Sequence, residues 1–435
     1  MRQRVNSASL AYIRGVSDQP YLGRLVDGVL PRILETLPAV SLVGPRGVGK
    51  TTSAQRVASS VVHLDRAGEA AAFRVDPDAA LARLRKPVLL DEWQDTPEVL
   101  GAVKRQVDTN AVAGQFVLTG SVRIGMEHTW PATGRVVRQP VFGLTQREIL
   151  QAEGPTFTER LLSDPMAFAE APASSWTIFD YVGAAATGGF PDIVLHRPDA
   201  DTRARWLGSY LQELLTNDVK LAGTDPDPRK FASFVEAVAL NSSHIVDQAT
   251  LQNAAGVAKN TAASYEDLLE SVFFCERVPA WRSRRLDRLA AMSKRYVLDT
   301  ALFLHIQGVG PDDALQDPHL LGALLDTFVA AQIRPELALF ARPIPMLHLR
   351  DKDGRHEVDI ILELPRHRVI GIEIKATAAP GPDDARHLGW LADKLGDDFV
   401  AGIVLHAGPT SFALAPRIVA TPISSLWNGV GPTRD

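Results

Sequence analysis

Nine consecutive residues, Gly44-Pro45-Arg46-Gly47-Val48-Gly49-Lys50-Thr51-Thr52, constrain this chain more than any other part of it. They fit a phosphate-wrapping loop at every position where that pattern makes a demand. Glycines let the backbone turn tightly and aim successive N–H groups inward. Those donors and the start of the following helix form a cradle for phosphate oxygens. Lys50 is placed to reach the β and γ phosphates of ATP as a point charge, and the Thr51 hydroxyl to ligate Mg2+. An apolar run, Val40 to Val43, precedes the loop, and a helical pattern, Ser53 to Val62, follows it. Strand, loop and helix in that order open a parallel α/β sheet.

The rest of such a sheet is readable up to about residue 150. Val88-Leu89-Leu90 is an apolar burst that ends in Asp91-Glu92, and Gln115 to Leu118 is another, ending in Thr119-Gly120-Ser121. Arg135 to Phe142 is a candidate fourth strand. An acidic pair at a strand end suits the second half of an ATPase site. Asp91 would hold Mg2+, directly or through water, and Glu92 would orient the attacking water. Ser121 is placed to hydrogen-bond the γ-phosphate or that water. Arg135 and Arg138 are candidate arginine fingers.

The chain has 435 residues, long enough for two or three domains, with 46% hydrophobic and 22% charged residues. Its net charge of −5 gives no overall basic field, so any nucleic-acid contact must come from a local patch. The single cysteine, Cys275, lies in the apolar run Val272 to Cys275 and reads as a small buried hydrophobe, a usage that suits the cytoplasm. No window is apolar for long enough to span a membrane, and no membrane partner is expected.

From about 155 to 300 the pattern is mostly helical. Trp206 to Leu221 repeats apolar residues near the helical period, and Thr224 to Arg229 reads as a loop. Val246 to Leu269 carries small residues, a turn at Gly256 and a second helix, which resembles a helix-turn-helix. Arginines follow from Arg282 to Arg288, then Lys294 and Arg295, the densest positive cluster in the chain. With Lys259 and Asn260 it could contact DNA phosphates.

Beyond about 320 a helical segment gives way to period-two alternation, at Val358 to Leu362 and Val369 to Ile374, and then to Val400 to Leu405. In a strand, residues two apart share a face, so Glu373 and Lys375 project together while Ile372 and Ile374 pack behind. If the strands pair, Asp359 reaches the same edge. Two carboxylates holding metal ions and a lysine facing the phosphate suit phosphodiester cleavage. Asp326, on the helix before, could supply a third carboxylate. An ordinary Glu–Lys pair on a surface hairpin explains the pattern equally simply. His356 and His387 lie nearby in sequence and read as exposed.

Together these residues resemble the prokaryotic AAA-fold ATP-binding proteins whose C-terminal domain, long catalogued as of unknown function, is similar to restriction endonucleases. The carriers are Gly44 to Thr52, Leu89 to Gln94, Leu118 to Ser121, Gly134-Arg135, Gly188 to Pro191, Tyr210 to Val219, Lys294 to Thr300, Glu357 to Ile361 and Glu373 to Lys375. The resemblance implies an α/β protein in three parts. These are an AAA-type P-loop ATPase domain (1–205), a helical, winged-helix-like segment (206–305) and a nuclease-like α/β domain (306–435). It also implies a site at Asp359, Glu373 and Lys375, with Asp359 and Glu373 holding metal. Asp326 departs from the glutamate usual at its position. The expected partners are ATP and Mg2+, with DNA and a second copy of the chain left open. The alternative is a nucleotide-switched binding module without nuclease activity.

Overall fold

The computed structural model describes residues 21–432 apart from 121–133, 198, 222–225, 283–291 and 352. Five short strands build the first sheet: β1 (Ala39–Val43), β2 (Ser60–His63), β3 (Val88–Asp91), β4 (Phe116–Gly120) and β5 (Val136–Pro140). Every pairing is parallel, in the order β2-β3-β4-β1-β5. β1, β3 and β4 are buried along their whole length, because helices cover both faces. The order puts β4 between the phosphate-loop strand β1 and the acidic strand β3. Three chemically distinct strand ends therefore open on one edge of the sheet.

The middle of the chain is helical, with one two-stranded ladder. The helix Ala200–Glu213 widens into a π-helical turn, Leu214–Asp218, and ends at Val219–Leu221. Of the expected loop over Thr224 to Arg229, Thr224 and Asp225 lie outside the described residues, and Pro228 and Arg229 are helical. Asp227 caps the helix Pro228–Leu240, its carboxylate accepting from the backbone of Arg229 and Lys230 at 3.0 Å each. Gln248–Ala255 and Lys259–Ser271 then form the expected helix pair, with Gly256 in the left-handed conformation between them. The ladder is antiparallel, β6 (Cys275–Val278) against β7 (Lys294–Val297). Cys275 is buried there, as expected.

The C-terminal sheet has six strands. They are β8 (Met346–Arg350), β9 (Glu357–Glu363), β10 (Val369–Lys375), β11 (Phe399–His406), β12 (Phe412–Ala415) and β13 (Ile418–Pro422). Their order is β12-β13-β11-β10-β9-β8, with β10–β11 and β11–β13 parallel and the other pairs antiparallel. One hydrophobic core runs from Val26 to Trp427 and joins the nucleotide-side helices, the middle segment and one face of this sheet. The expected boundaries at 205 and 305 both fall inside helices, Ala200–Glu213 and Thr300–Gln307.

Asp299 shows how tightly the parts are joined. Its carboxylate caps Thr300–Gln307, accepting from Ala301 N at 2.9 Å and Leu302 N at 3.2 Å. It also accepts from Gly189 N at 2.8 Å, across from the nucleotide side. A Cβ on Gly188 would lie 2.6 Å from that carboxylate, so only glycine permits the approach. Asp299→Ala removes the cap and leaves a buried N–H without its acceptor. The expected loss is about 2 kcal/mol or more, read as a lower urea midpoint.

Candidate functional site

The phosphate loop connects β1 to the helix Lys50–Gln55. Gly47 and Gly49 have φ of 75° and 90°, a left-handed backbone that favours glycine. Gly44 is required for a different reason, since a Cβ there would lie 1.9 Å from the Val141 carbonyl oxygen. Lys50 is 4% exposed, and its ammonium donates to the carbonyls of Gly44 at 3.0 Å and Pro45 at 2.7 Å. Burial lowers its pKa to about 8, with Glu92, Asp91 and Asp218 opposing that fall.

The acidic strand end meets this loop. The Thr51 hydroxyl donates to Asp91 Oδ1 at 2.6 Å, and the Thr119 hydroxyl donates to the same oxygen at 2.5 Å. His63, at the end of β2, holds Asp91 Oδ2 through Nδ1 at 3.0 Å. These hard oxygen donors fit a magnesium ion, which Thr51 and Asp91 would hold. Glu92 lies at the wall of the same cavity in a left-handed backbone conformation, its carboxylate accepting from Gln94. Burial raises its pKa against the pull of the Gln94 hydrogen bond and Lys50. Ser121 lies outside the described residues. The β4 residue seen at the site is Thr119, two positions earlier, which the sequence reading passed over.

A cavity of about 410 Å³ opens from the loop. Gly47, Gly49, Lys50, Thr51, Thr52 and Glu92 line its phosphate end, and Tyr21, Leu22, Leu144, Pro191 and Leu195 give it apolar walls. Arg24, which also lines the cavity, stiffens the loop. It pairs with Glu148 at 2.9 Å and donates to the carbonyls of Val48 at 2.7 Å and Phe142 at 2.8 Å. The sequence reading missed Arg24, because its partners are 24 to 124 positions away. Neither candidate finger lines the cavity. Arg135 is ion-paired with Asp108, and Arg138 is exposed on β5.

The C-terminal residues also converge, with an addition. Glu373 and Lys375 do project together, 2.9 Å apart, and Asp359 accepts from the backbone of Ile374 at 3.0 Å. Asp326 faces them from the helix Pro318–Leu337. Among them lies Lys294 of β7, 1% exposed, at 2.5 Å from Asp326 and 3.3 Å from Asp359. Burial opposes its charge, but Asp326, Tyr296 and Asp359 together hold its pKa well above the usual lysine value. The Tyr296 hydroxyl takes the other Asp326 oxygen at 2.8 Å. Of the six carboxylate oxygens, only Glu373 Oε1 lacks a hydrogen-bond partner. Burial and Asp359 raise the Glu373 pKa to about 8, against the pull of Lys375. Among the described residues no group of three or more His, Cys, Asp or Glu is arranged to hold a metal ion. This cluster does not fit a divalent ion, because an internal ammonium already lies between its two aspartates.

Residues 37–150 match a family model described as an AAA domain. This segment is an AAA-type P-loop ATP-binding domain. Residues 178–313 and 321–426 match models described as domains of unknown function, DUF8612 and DUF4143. Uncharacterised proteins of Mycobacterium tuberculosis and Mycobacterium bovis are each 26% identical to this chain over 404 residues, covering 91% of it and 82% of their own length. A Walker-type ATPase of Pyrococcus abyssi superposes with a TM-score of 0.41 at 12% identity, covering 66% of this chain and 96% of its own. AMPPCP-bound DnaA from Aquifex aeolicus gives 0.27 at 11% identity, covering 56% and 85%. At these TM-scores neither structure bears on the fold.

Two further expectations change. Lys294 and Arg295 are not available to DNA phosphates, since both are buried and Arg295 pairs with Glu266 at 2.5 Å. Arg284, Arg285 and Arg288 lie outside the described residues, while Lys259 and Asn260 are exposed as expected. His356 and His387 are half-buried rather than exposed, and His356 stacks on Trp390 with ring centroids 4.1 Å apart. Among the described residues no helix is long and apolar enough to cross a membrane.

The Lys50 pKa near 8 gives a proton-linked prediction. Phosphate favours the ammonium, so nucleotide binding takes up a proton where the amine is neutral beforehand. Calorimetry at about pH 9 in two buffers of different ionisation enthalpy should show uptake approaching one proton. At pH below about 7 uptake should vanish, and Lys50→Arg should abolish it throughout.

Proposed function

We propose that the chain is an ATP-hydrolysing switch, with the helical and C-terminal parts as the elements it moves. The observation that carries this reading is the meeting of Lys50, Thr51 and Glu92 at one cavity, with Asp91 hydrogen-bonded to Thr51 behind them. Lys50 would hold the β and γ phosphates, and Thr51 and Asp91 the magnesium ion, whose charge would offset that of the phosphates. Glu92 would accept a proton from the attacking water, and its raised pKa makes it a better base than an exposed glutamate. Thr119 and His63 fix the Asp91 carboxylate and act through it.

The second reading is a metal-dependent nuclease acting on DNA. Its support is the convergence of Asp359, Glu373 and Lys375, with Asp326, on one edge of the C-terminal sheet. Lys294 weighs against it, because ammonium and metal would compete for the same aspartates. The cluster reads more simply as a buried ionic clasp between β7, the Pro318 helix and the sheet. A winged-helix-like DNA contact by the middle segment is supported by the helix pair, the ladder that follows it, and exposed Lys259 and Asn260.

The two readings separate cleanly. Glu92→Gln should bind ATP normally and lose turnover by about a hundredfold or more, the usual size of a general-base effect. Lys50→Ala should lose nucleotide binding. Unchanged turnover in Glu92→Gln would show that another group activates the water. Plasmid and linear DNA should stay intact with magnesium or manganese, with or without ATP. Cleavage by the wild-type chain that disappears in Lys375→Ala would instead establish the nuclease.

A further inference from the structure

The third residue of the phosphate loop does not behave as a loop residue. Arg46 reaches out of the loop, and its guanidinium is shared by Asp218 at 3.1 Å and Glu213 at 3.5 Å. Glu213 ends the helix Ala200–Glu213, and Asp218 ends the π-helical turn that continues it. Arg46 and Glu213 are about half exposed, but the Asp218 side chain is only 6% exposed. Burial raises the Asp218 pKa, and Arg46 is the first of the groups that hold it down.

Arg46 does not line the nucleotide cavity while it is held by Asp218, but its chain neighbour Gly47 does, with Gly49 and Lys50, so the guanidinium is carried at the phosphate end of the cavity. It acts on Lys50, which would bind the γ-phosphate, and on Glu92, which would face the water. Asp218 also acts on Lys50. A γ-phosphate held by Lys50 therefore enters a neighbourhood where one arginine already serves a carboxylate. A guanidinium binds phosphate through paired, charge-assisted hydrogen bonds, and a γ-phosphate carries more charge than one carboxylate.

Resting on the ATP reading above, we propose that Arg46 is the residue by which this chain tells ATP from ADP. Asp218 is the carboxylate that competes with the γ-phosphate for it. When the γ-phosphate takes the guanidinium, Asp218 loses its nearest cation. A buried carboxylate without a partner is unfavourable, so the π turn that carries it must rearrange. Such turns are local insertions in a helix and recur at functional sites. The rearrangement passes into the helix Ala200–Glu213, which packs on the loop. A Cβ on Gly47 would lie 4.0 Å from both Trp206 and Phe190, and Phe190 packs against Trp206 and Tyr210 at 5.0 and 4.7 Å. Loss of the γ-phosphate returns Arg46 to Asp218 and reverses the signal.

The test is calorimetric binding of ADP and of a non-hydrolysable ATP analogue, each with magnesium, to the full chain. Arg46→Ala should weaken the analogue by about tenfold or more and leave ADP nearly unchanged, because only the γ-phosphate loses its partner. Asp218→Asn should move the analogue the other way, tightening it several-fold with ADP again unchanged. A merely structural ion pair predicts parallel losses in the two variants and for both nucleotides, and that pattern overturns the proposal. So does an analogue-to-ADP ratio unaltered in Arg46→Ala. Should Asp218→Asn fail to fold, Glu213→Gln on the exposed rim should show the same tightening at smaller size, and a weakening there overturns the competition. A chain that binds neither nucleotide fails at the underlying ATP reading, which ADP binding alone tells apart.

Discussion

The joining of the nucleotide side, the middle segment and the C-terminal sheet depends on one buried helix, Pro318–Leu337, and on the polar groups it carries into the core. Fourteen of its residues are buried, among them Asp326, Gln332, Arg334 and Glu336. A polar group taken out of water must find a partner, so each of these side chains selects a neighbour. Asp326 takes Lys294 and Tyr296 from β7. Gln332 accepts from the backbone of Gln146 at 2.6 Å, on the nucleotide side. Arg334 is ion-paired with Glu276 of β6. Glu336 accepts from the Thr158 backbone and hydroxyl at 2.8 and 2.9 Å. Apolar contact alone would hold the parts together in many registers; four polar pins leave one. This is why the units visible in the sequence share a core.

What could be read from the sequence was whatever depends on neighbours in the chain. The phosphate loop was legible because its chemistry is local: three glycines, a lysine and a threonine at fixed spacing. β9 and β10 were legible through alternation, and so was the shared face of Glu373 and Lys375. β8 and β12 were not. β8 is short and carries His348 and Arg350, and β12 has no buried residue to set a pattern. The long-range pairs were illegible for a plainer reason. Lys294 meets Asp326 and Asp359 from 32 and 65 positions away, and nothing local distinguishes it from its exposed-looking neighbour Arg295. A run of basic residues suggested a nucleic-acid surface, yet its last two members turned inward to neutralise carboxylates. Thr119 was passed over for a similar reason, since only the sheet order shows that it stands beside Asp91.

The two acidic sites use similar residues toward opposite electrostatic ends, and the difference lies in what donates to them. At Asp91 the donors are the hydroxyls of Thr51 and Thr119 and a ring nitrogen of His63. Hydroxyl dipoles orient a carboxylate without cancelling its charge. At Asp326 and Asp359 the donor is an ammonium with a full charge, and a second ammonium sits on Glu373. There the field is already balanced from within. A metal would have to displace a lysine that has no exposed place to go, being fully buried in the core. The distinction follows from donor chemistry alone and does not depend on how many carboxylates each site contains. By this criterion the Asp91 carboxylate keeps its charge, whereas the charges of Asp326, Asp359 and Glu373 are offset from within.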